Sequence, residues 1–278
     1  MFKKVTKVLS VLALGVAGGI ALQQPQVTQA TKQKPVVIYL TRHGETTANV
    51  MHVAQGWSDY PLTNNGKQGA KALGLGLKKV KFQSAYAGNL TRQEETAQGA
   101  LKYSDNKKVK LQTKPDLRED NYGSYEGRPD MKESVVKIAK YYGYPNVQTF
   151  TKKTGKQVMQ KMQDGYYQLD KENELQTDLK PRDRAESSKQ VQKRMTDVLT
   201  QIAQHQKKNG GGNVLVVSSG MSIDQFLSAE RIPEYQGKSL DNDSVTKLVY
   251  KNKKFKLQGK IGSTKYYDAG KQDLKSNK

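Results

Sequence analysis

Short apolar runs alternate along the chain with longer stretches in which apolar residues recur every three or four positions. Residues 35–40, Pro-Val-Val-Ile-Tyr-Leu, are too few for a helix and too uniformly apolar for a strand with one wet face, so they predict a strand buried on both sides of a sheet. Residues 213–218, ending Val-Leu-Val-Val-Ser, predict a second strand of this kind, and 83–87 and 108–112 predict two weaker ones. Helical spacing runs from Asn64 to Leu77, with Thr63 or Asn64 as cap, then over 91–101, and over 184–206, the longest amphipathic stretch. The glycines at 210–212 read as a helix-to-strand turn, and 244–250 with 254–258 read as a hairpin around Lys251-Asn252-Lys253.

Between Asp130 and Asp178 a Tyr- and Lys-rich stretch keeps helical periodicity with several breaks, which predicts an inserted cap over about 130–180. Together these elements predict an α/β fold: a three-layer sandwich with a mostly parallel central sheet flanked by helices, plus the helical cap insertion. One domain over 31–267 accounts for them, followed by a basic tail over 268–278.

The N-terminus reads as an address. A lysine-rich start, an apolar run over 8–22 and a small residue at Ala30 predict a secretory signal peptide cut near Ala30. The run is shorter than the roughly 20 apolar residues a membrane span needs. Its removal takes away three lysines and lowers the formal net charge from +21 to +18. That excess suits anionic partners such as cell wall, membrane surface or a phosphorylated small molecule, and no motif of specific nucleic-acid recognition accompanies it. The absence of Cys excludes disulfides, thiolate metal sites and a cysteine nucleophile, and the three His make a His-rich metal centre an unsuitable reading.

Candidate chemistry gathers where the predicted strands end. Arg42-His43-Gly44-Glu45-Thr46 with Asn49 follows the first; Leu90, Arg92, Thr96 and Ala97 form a second cluster; Arg118-Glu119, Gly123 and Glu126-Gly127 form a third. In this order, and with Asp59-Tyr60-Pro61-Leu62-Thr63 between, the sequence resembles the histidine phosphatase superfamily, also called the phosphoglycerate mutase-like family, over about residues 35–230. The resemblance implies a phosphohistidine on His43, phosphate held by Arg42, Arg92 and Asn49, Glu119 as general acid and base, and neither cofactor nor metal. A protonated Glu119 in the first step implies activity at mildly acidic pH.

One position departs from the pattern. Where the family's last strand ends in Ser-His-Gly, this chain has Ser218-Ser219-Gly220. Ser219 can give phosphate one neutral hydrogen bond, about 1 kcal/mol against about 1.5–3 for a charge-assisted one, so a tenfold loss or somewhat more is expected. His52 follows the first motif and is placed to face substrate; His205 lies near the end of a polar helix and is expected to be exposed. The expected function is therefore a secreted phosphomonoester hydrolase. Its alternatives are a catalytically impaired phosphate- or polyanion-binding protein, mutase-like phosphoryl transfer, and a basic surface-associated protein.

Overall fold

Strand β1, Val36–Arg42, lies at the centre of the sheet, between a parallel neighbour, β4 (Gly212–Ser218), and an antiparallel one, β5 (Val245–Lys251). Residues 34–129 and 133–276 are described by the computed structural model; the expected signal peptide, the first residues of the cap and the last two residues of the chain lie outside the described residues. Six strands make one sheet in the order β3-β2-β4-β1-β5-β6, with β2 at Phe82–Ala87, β3 at Leu111–Thr113 and β6 at Lys254–Leu257. The first four in that order run parallel, while the β5–β6 hairpin closes the other edge antiparallel.

Alternation along β1 and β4 feeds two helical layers. Ile38, Leu40, Val214 and Val216 pack on α7 (Ser188–Lys208) and α8 (Gly220–Ala229), whereas Tyr39, Leu215 and Val217 pack on α2 (Asn64–Gly76) and α3 (Thr91–Lys102). Both faces of these strands are dry, which is why their sequence is continuously apolar. Residues 268–276 of the segment read as a basic tail instead belong to helix α9, Lys265–Ser276, which packs on α2. Gly76 and Gly270 allow that approach: a Cβ on Gly270 would stand 1.7 Å from the Ala72 carbonyl oxygen and one on Gly76 1.8 Å from that of Tyr266.

Other elements also differ from the sequence reading. Strand β3 begins at Leu111 rather than 108, because Val109 is still held in a turn by the Asn106 carbonyl and the Asn106 side chain ties that turn to Phe82 and Val80. Helix α7 begins at Ser188 rather than 184: Ser187 and Gln190 form a capping box, and Arg184 instead reaches back to Asp170. Helices α1 (Thr47–Met51), α8 and α9 were not among the predicted elements. The described part of the stretch expected as a cap folds into α4 (Val135–Tyr141), α5 (Val147–Thr154) and α6 (Val158–Lys171) around a second cluster, in which Phe150, Ile138 and Tyr166 pack together with Ala54, Tyr122 and Tyr125 from outside the stretch.

Candidate active site

Register brings the chemistry together. Arg42, last residue of β1, pairs with Ser218, last residue of β4, so the His43 turn and the start of α8 emerge side by side at the carboxyl ends of parallel strands. The His43 main chain is clamped there: its N–H donates to the Ser218 carbonyl (3.0 Å) and its carbonyl accepts from Asn242 Nδ2 (2.9 Å). The ring is 1% exposed and its Nδ1 lies 2.8 Å from the Gly44 carbonyl oxygen. A carbonyl accepts only, so Nδ1 carries the hydrogen and Nε2 keeps its lone pair. Burial, then the charges of Arg92 and Arg42, hold the His43 pKa well below its ordinary value. The imidazole is neutral and nucleophilic.

The two guanidinium groups sit differently. Arg42 donates from Nη1 to the Leu240 carbonyl, lies against Gly220 at the start of α8, and reaches a cavity of about 720 Å³ that His43, Asn49 and Glu119 also line. Arg92 is fully buried in the first turn of α3 and turned toward backbone, donating to the carbonyls of Ser58 (3.0 Å), Gln55 (2.9 Å) and Gly56 (2.7 Å). It does not line the cavity, although its field reaches His43. The 55–58 loop is shaped by Glu126, whose carboxylate accepts from the N–H groups of Gly56, Trp57, Ser58 and Tyr122 at 2.7–3.0 Å. Only glycine fits at Gly56, where a Cβ would stand 2.2 Å from both the Asp120 carbonyl oxygen and Glu126 Oε1.

Glu119 enters from the loop after β3. Its Oε1 accepts from Asp120 N–H (3.0 Å) and Ser222 N–H (2.8 Å), and Oε2 from Met221 N–H (3.2 Å), so this carboxyl caps α8 while the Ser219 side chain makes no capping bond. Arg194 fixes the loop, donating to the carbonyls of Asp116, Arg118 and Glu119 while Glu186 holds its other edge. Asn49 commits its Oδ1 to the capping box of α1, which leaves Nδ2 as its donor toward the cavity. Ser219 is completely buried, accepts from Gln93 Nε2 (2.8 Å) and does not line the cavity, contrary to a ready phosphate contact. His52 is exposed at the rim, and His205 is exposed beside Asn209.

Facing this polar base, α6 presents Val158, Met159, Met162 and Tyr166. Of the cap tyrosines, only Tyr166 reaches the cavity; Tyr142 and Tyr144 pack on Phe150 and Tyr141 is 43% exposed. Two residues near the site escaped sequence reasoning. Asp224 lines the cavity from α8, and its only signal in the sequence is an acid set among the apolar positions Ile223, Phe226 and Leu227. Asp243 lies behind the His43 turn, donating its N–H to the His43 carbonyl (3.4 Å), with Oδ1 unpartnered; burial and Glu45 push its pKa up to about 7 against the pull of Arg42.

A neutral imidazole, an adjacent guanidinium and a carboxyl at the same cavity form an arrangement suited to in-line transfer of an anionic phosphoryl group. Residues 38–174 and 146–260 match the histidine phosphatase superfamily (branch 1). In solved structures, the chain is similar to phosphoglycerate mutase from Bacillus anthracis at 32% identity and TM-score 0.76, covering 86% of this chain and 98% of that one. Phosphoserine phosphatase from Entamoeba histolytica, in complex with 3-phosphoglyceric acid, shares the fold at 21% identity and TM-score 0.57, over 84% of this chain and 99% of that one. Among curated proteins it is 40% identical over 94 residues to fructose-2,6-bisphosphatase TIGAR of Bos taurus, spanning 32% of this chain and 34% of that protein. It is 37% identical over 92 residues to a 2,3-bisphosphoglycerate-dependent phosphoglycerate mutase of Bartonella henselae, spanning 32% of this chain and 45% of that protein. The matched stretch thus covers less than half the length of these curated relatives. By the extent of the family match and by its fold, the chain belongs to the histidine phosphatase superfamily.

Proposed function

We propose that this protein is an exported phosphomonoester hydrolase working through a phosphohistidine on His43. The observation that carries the reading is the His43 ring itself: neutral, with Nδ1 committed to the Gly44 carbonyl and the ring at the wall of a cavity beside Arg42. In the first step Nε2 forms a bond to phosphorus, the ester P–O bond breaks, and the alkoxide takes the proton of the Glu119 carboxyl. In the second step Glu119 takes a proton from water as its oxygen attacks phosphorus, the N–P bond breaks and His43 returns to its neutral form. Arg42 spreads the developing charge throughout, and the Arg92 charge acts from behind the loop.

The apolar face of α6 supports an apolar or ring-bearing leaving group and hydrolysis rather than transfer to a second anionic acceptor. Apart from Arg42 and His43, the basic residues lining the cavity among the described residues are Lys238 and His52, both exposed at its rim. The burial of Ser219 against Gln93 favours a second reading, a protein that holds phosphate without turnover. Export is supported by residues 1–30, and the net charge supports retention on anionic wall or membrane.

The test is acid-quenched labelling with an aryl phosphate at pH 5 to 7, alongside phosphate release. Wild type forms a phosphoprotein and turns over, whereas His43→Ala does neither. Phosphate or vanadate binding with no phosphoprotein assigns the second reading instead. Export is tested by N-terminal sequencing of the protein from culture medium, expected to begin at Thr31.

A further inference from the structure

Helix α8 carries a carboxyl for which neither its packing nor the reaction above accounts. Asp224 is 1% exposed, and its Oδ1 has no hydrogen-bond partner. An unpaired carboxylate is destabilising in such a place, and burial favours the acid form. The residue lies one turn beyond Gly220, and Gly220 abuts Arg42: a Cβ added there would be 3.4 Å from Arg42 Nε. Asp224 therefore flanks the guanidinium and lines the same cavity as His43 and Glu119. The charged and titratable groups bearing on it are Arg42 from β1, Glu119 from the loop after β3, and Tyr235 from the segment after α8. Burial and the Glu119 charge raise its pKa well above the carboxylate range, and Arg42 opposes them.

The position at which the family resemblance implies a second imidazole offers no donor to the cavity, because Ser219 is buried against Gln93. We propose that the protonated carboxyl of Asp224 donates a hydrogen bond to a nonbridging oxygen of the phosphoryl group held on Arg42, supplying the contact that Ser219 does not. This rests on the phosphohistidine reading. The proton stays on Asp224: the contact is a hydrogen bond from an acid to an anion, and the arriving phosphate dianion further favours the acid form.

The experiment compares Asp224→Asn and Asp224→Ala with wild type in aryl phosphate hydrolysis across pH and in competitive inhibition by inorganic phosphate, with thermal melts to establish folding. Asparagine keeps a donor at the same reach. Asp224→Ala is expected to lose about ten- to a hundredfold in kcat/KM and at least about tenfold in phosphate affinity. Asp224→Asn is expected to stay within about threefold of wild type in both, and the alkaline limb of its kcat/KM profile moves, since its amide donates at every pH. Folded Asp224→Ala that binds phosphate as wild type does overturns the proposal, as does Asp224→Asn impaired as severely as alanine. Either result, with His43→Ala inactive and wild type forming phosphoprotein, leaves the phosphohistidine reading standing; absence of phosphoprotein in wild type removes both.

Discussion

Replacing Asp243 by asparagine isolates the cost of a buried acid behind the His43 turn. Its carboxyl pKa rises from an ordinary 3.8 to about 7 on folding, with burial the largest cause. A raised acid holds its proton in the folded state after the unfolded chain has lost it. Stability therefore falls as pH climbs from about 4 to about 7 and is level above that. A rise of this size corresponds to about 4 kcal/mol in all, of which about 2.6 kcal/mol accrues between pH 5 and pH 8. Asparagine cannot ionise and, at φ 58°, is at ease in the left-handed backbone that Asp243 adopts. Its amide needs a partner of its own, which offsets about 1–3 kcal/mol. Asp243→Asn is thus expected to trail wild type in Tm at pH 5 and to draw level with it or exceed it at pH 8, a swing of several degrees read by calorimetry at both. A Tm difference that is the same at the two pH values would refute the assignment of a titrating carboxyl there.

Glu126→Gln removes the charge that four backbone N–H groups converge on, and with it the shape of the loop that holds Arg92. It is expected to destabilise by about 2–4 kcal/mol in urea titrations and to lower kcat/KM, whereas a stable, fully active variant would show that Arg92 needs no such support. Glu119→Gln keeps the size of the side chain and one acceptor for the N–H groups at the start of α8, but turns the other oxygen into a donor and has no acid proton to give. Phosphoprotein formation from a good aryl leaving group should persist while alkyl phosphate turnover falls by about 10²–10⁴, and equal losses on both substrates would contradict the acid role. Met162→Ala thins the apolar wall of α6, so kcat/KM for naphthyl phosphate should fall about five- to tenfold while that for glycerol phosphate changes little.

The elements legible in the sequence were those whose burial is one-dimensional. Val36 to Leu40 and Val214 to Val217 are apolar at successive positions because helices cover both faces of β1 and β4, and α7 announces itself through the spacing of Val191, Met195, Val198 and Ile202. Helix α8 escaped because its N-terminus is capped by Glu119, about a hundred residues earlier, and its own Ser219 makes no capping bond. Helix α9 escaped because its packing combines Tyr266 with glycine against backbone, which leaves only a sparse apolar face to read among its lysines. In the site, the motifs located His43, Arg42, Glu119 and Asn49 at one cavity, since strand ends determine where such residues emerge. The direction of the Arg92 fork was not legible: three main-chain carbonyls set it, and carbonyls leave no trace in residue type. Asp224 and Asp243 went unseen for a related reason, as each is defined by what fails to pair with it.

The seam between α2 and α9 keeps apart two properties of the C-terminal segment, its charge and its anchorage. Gly76 and Gly270 press the two backbones together, while Lys265, Lys271 and Lys275 are exposed to solvent. The charge of this surface can therefore be changed by exchanging those lysines without disturbing the join, whereas one methyl group at Gly270 would prise the last helix off the body and leave every positive charge in place.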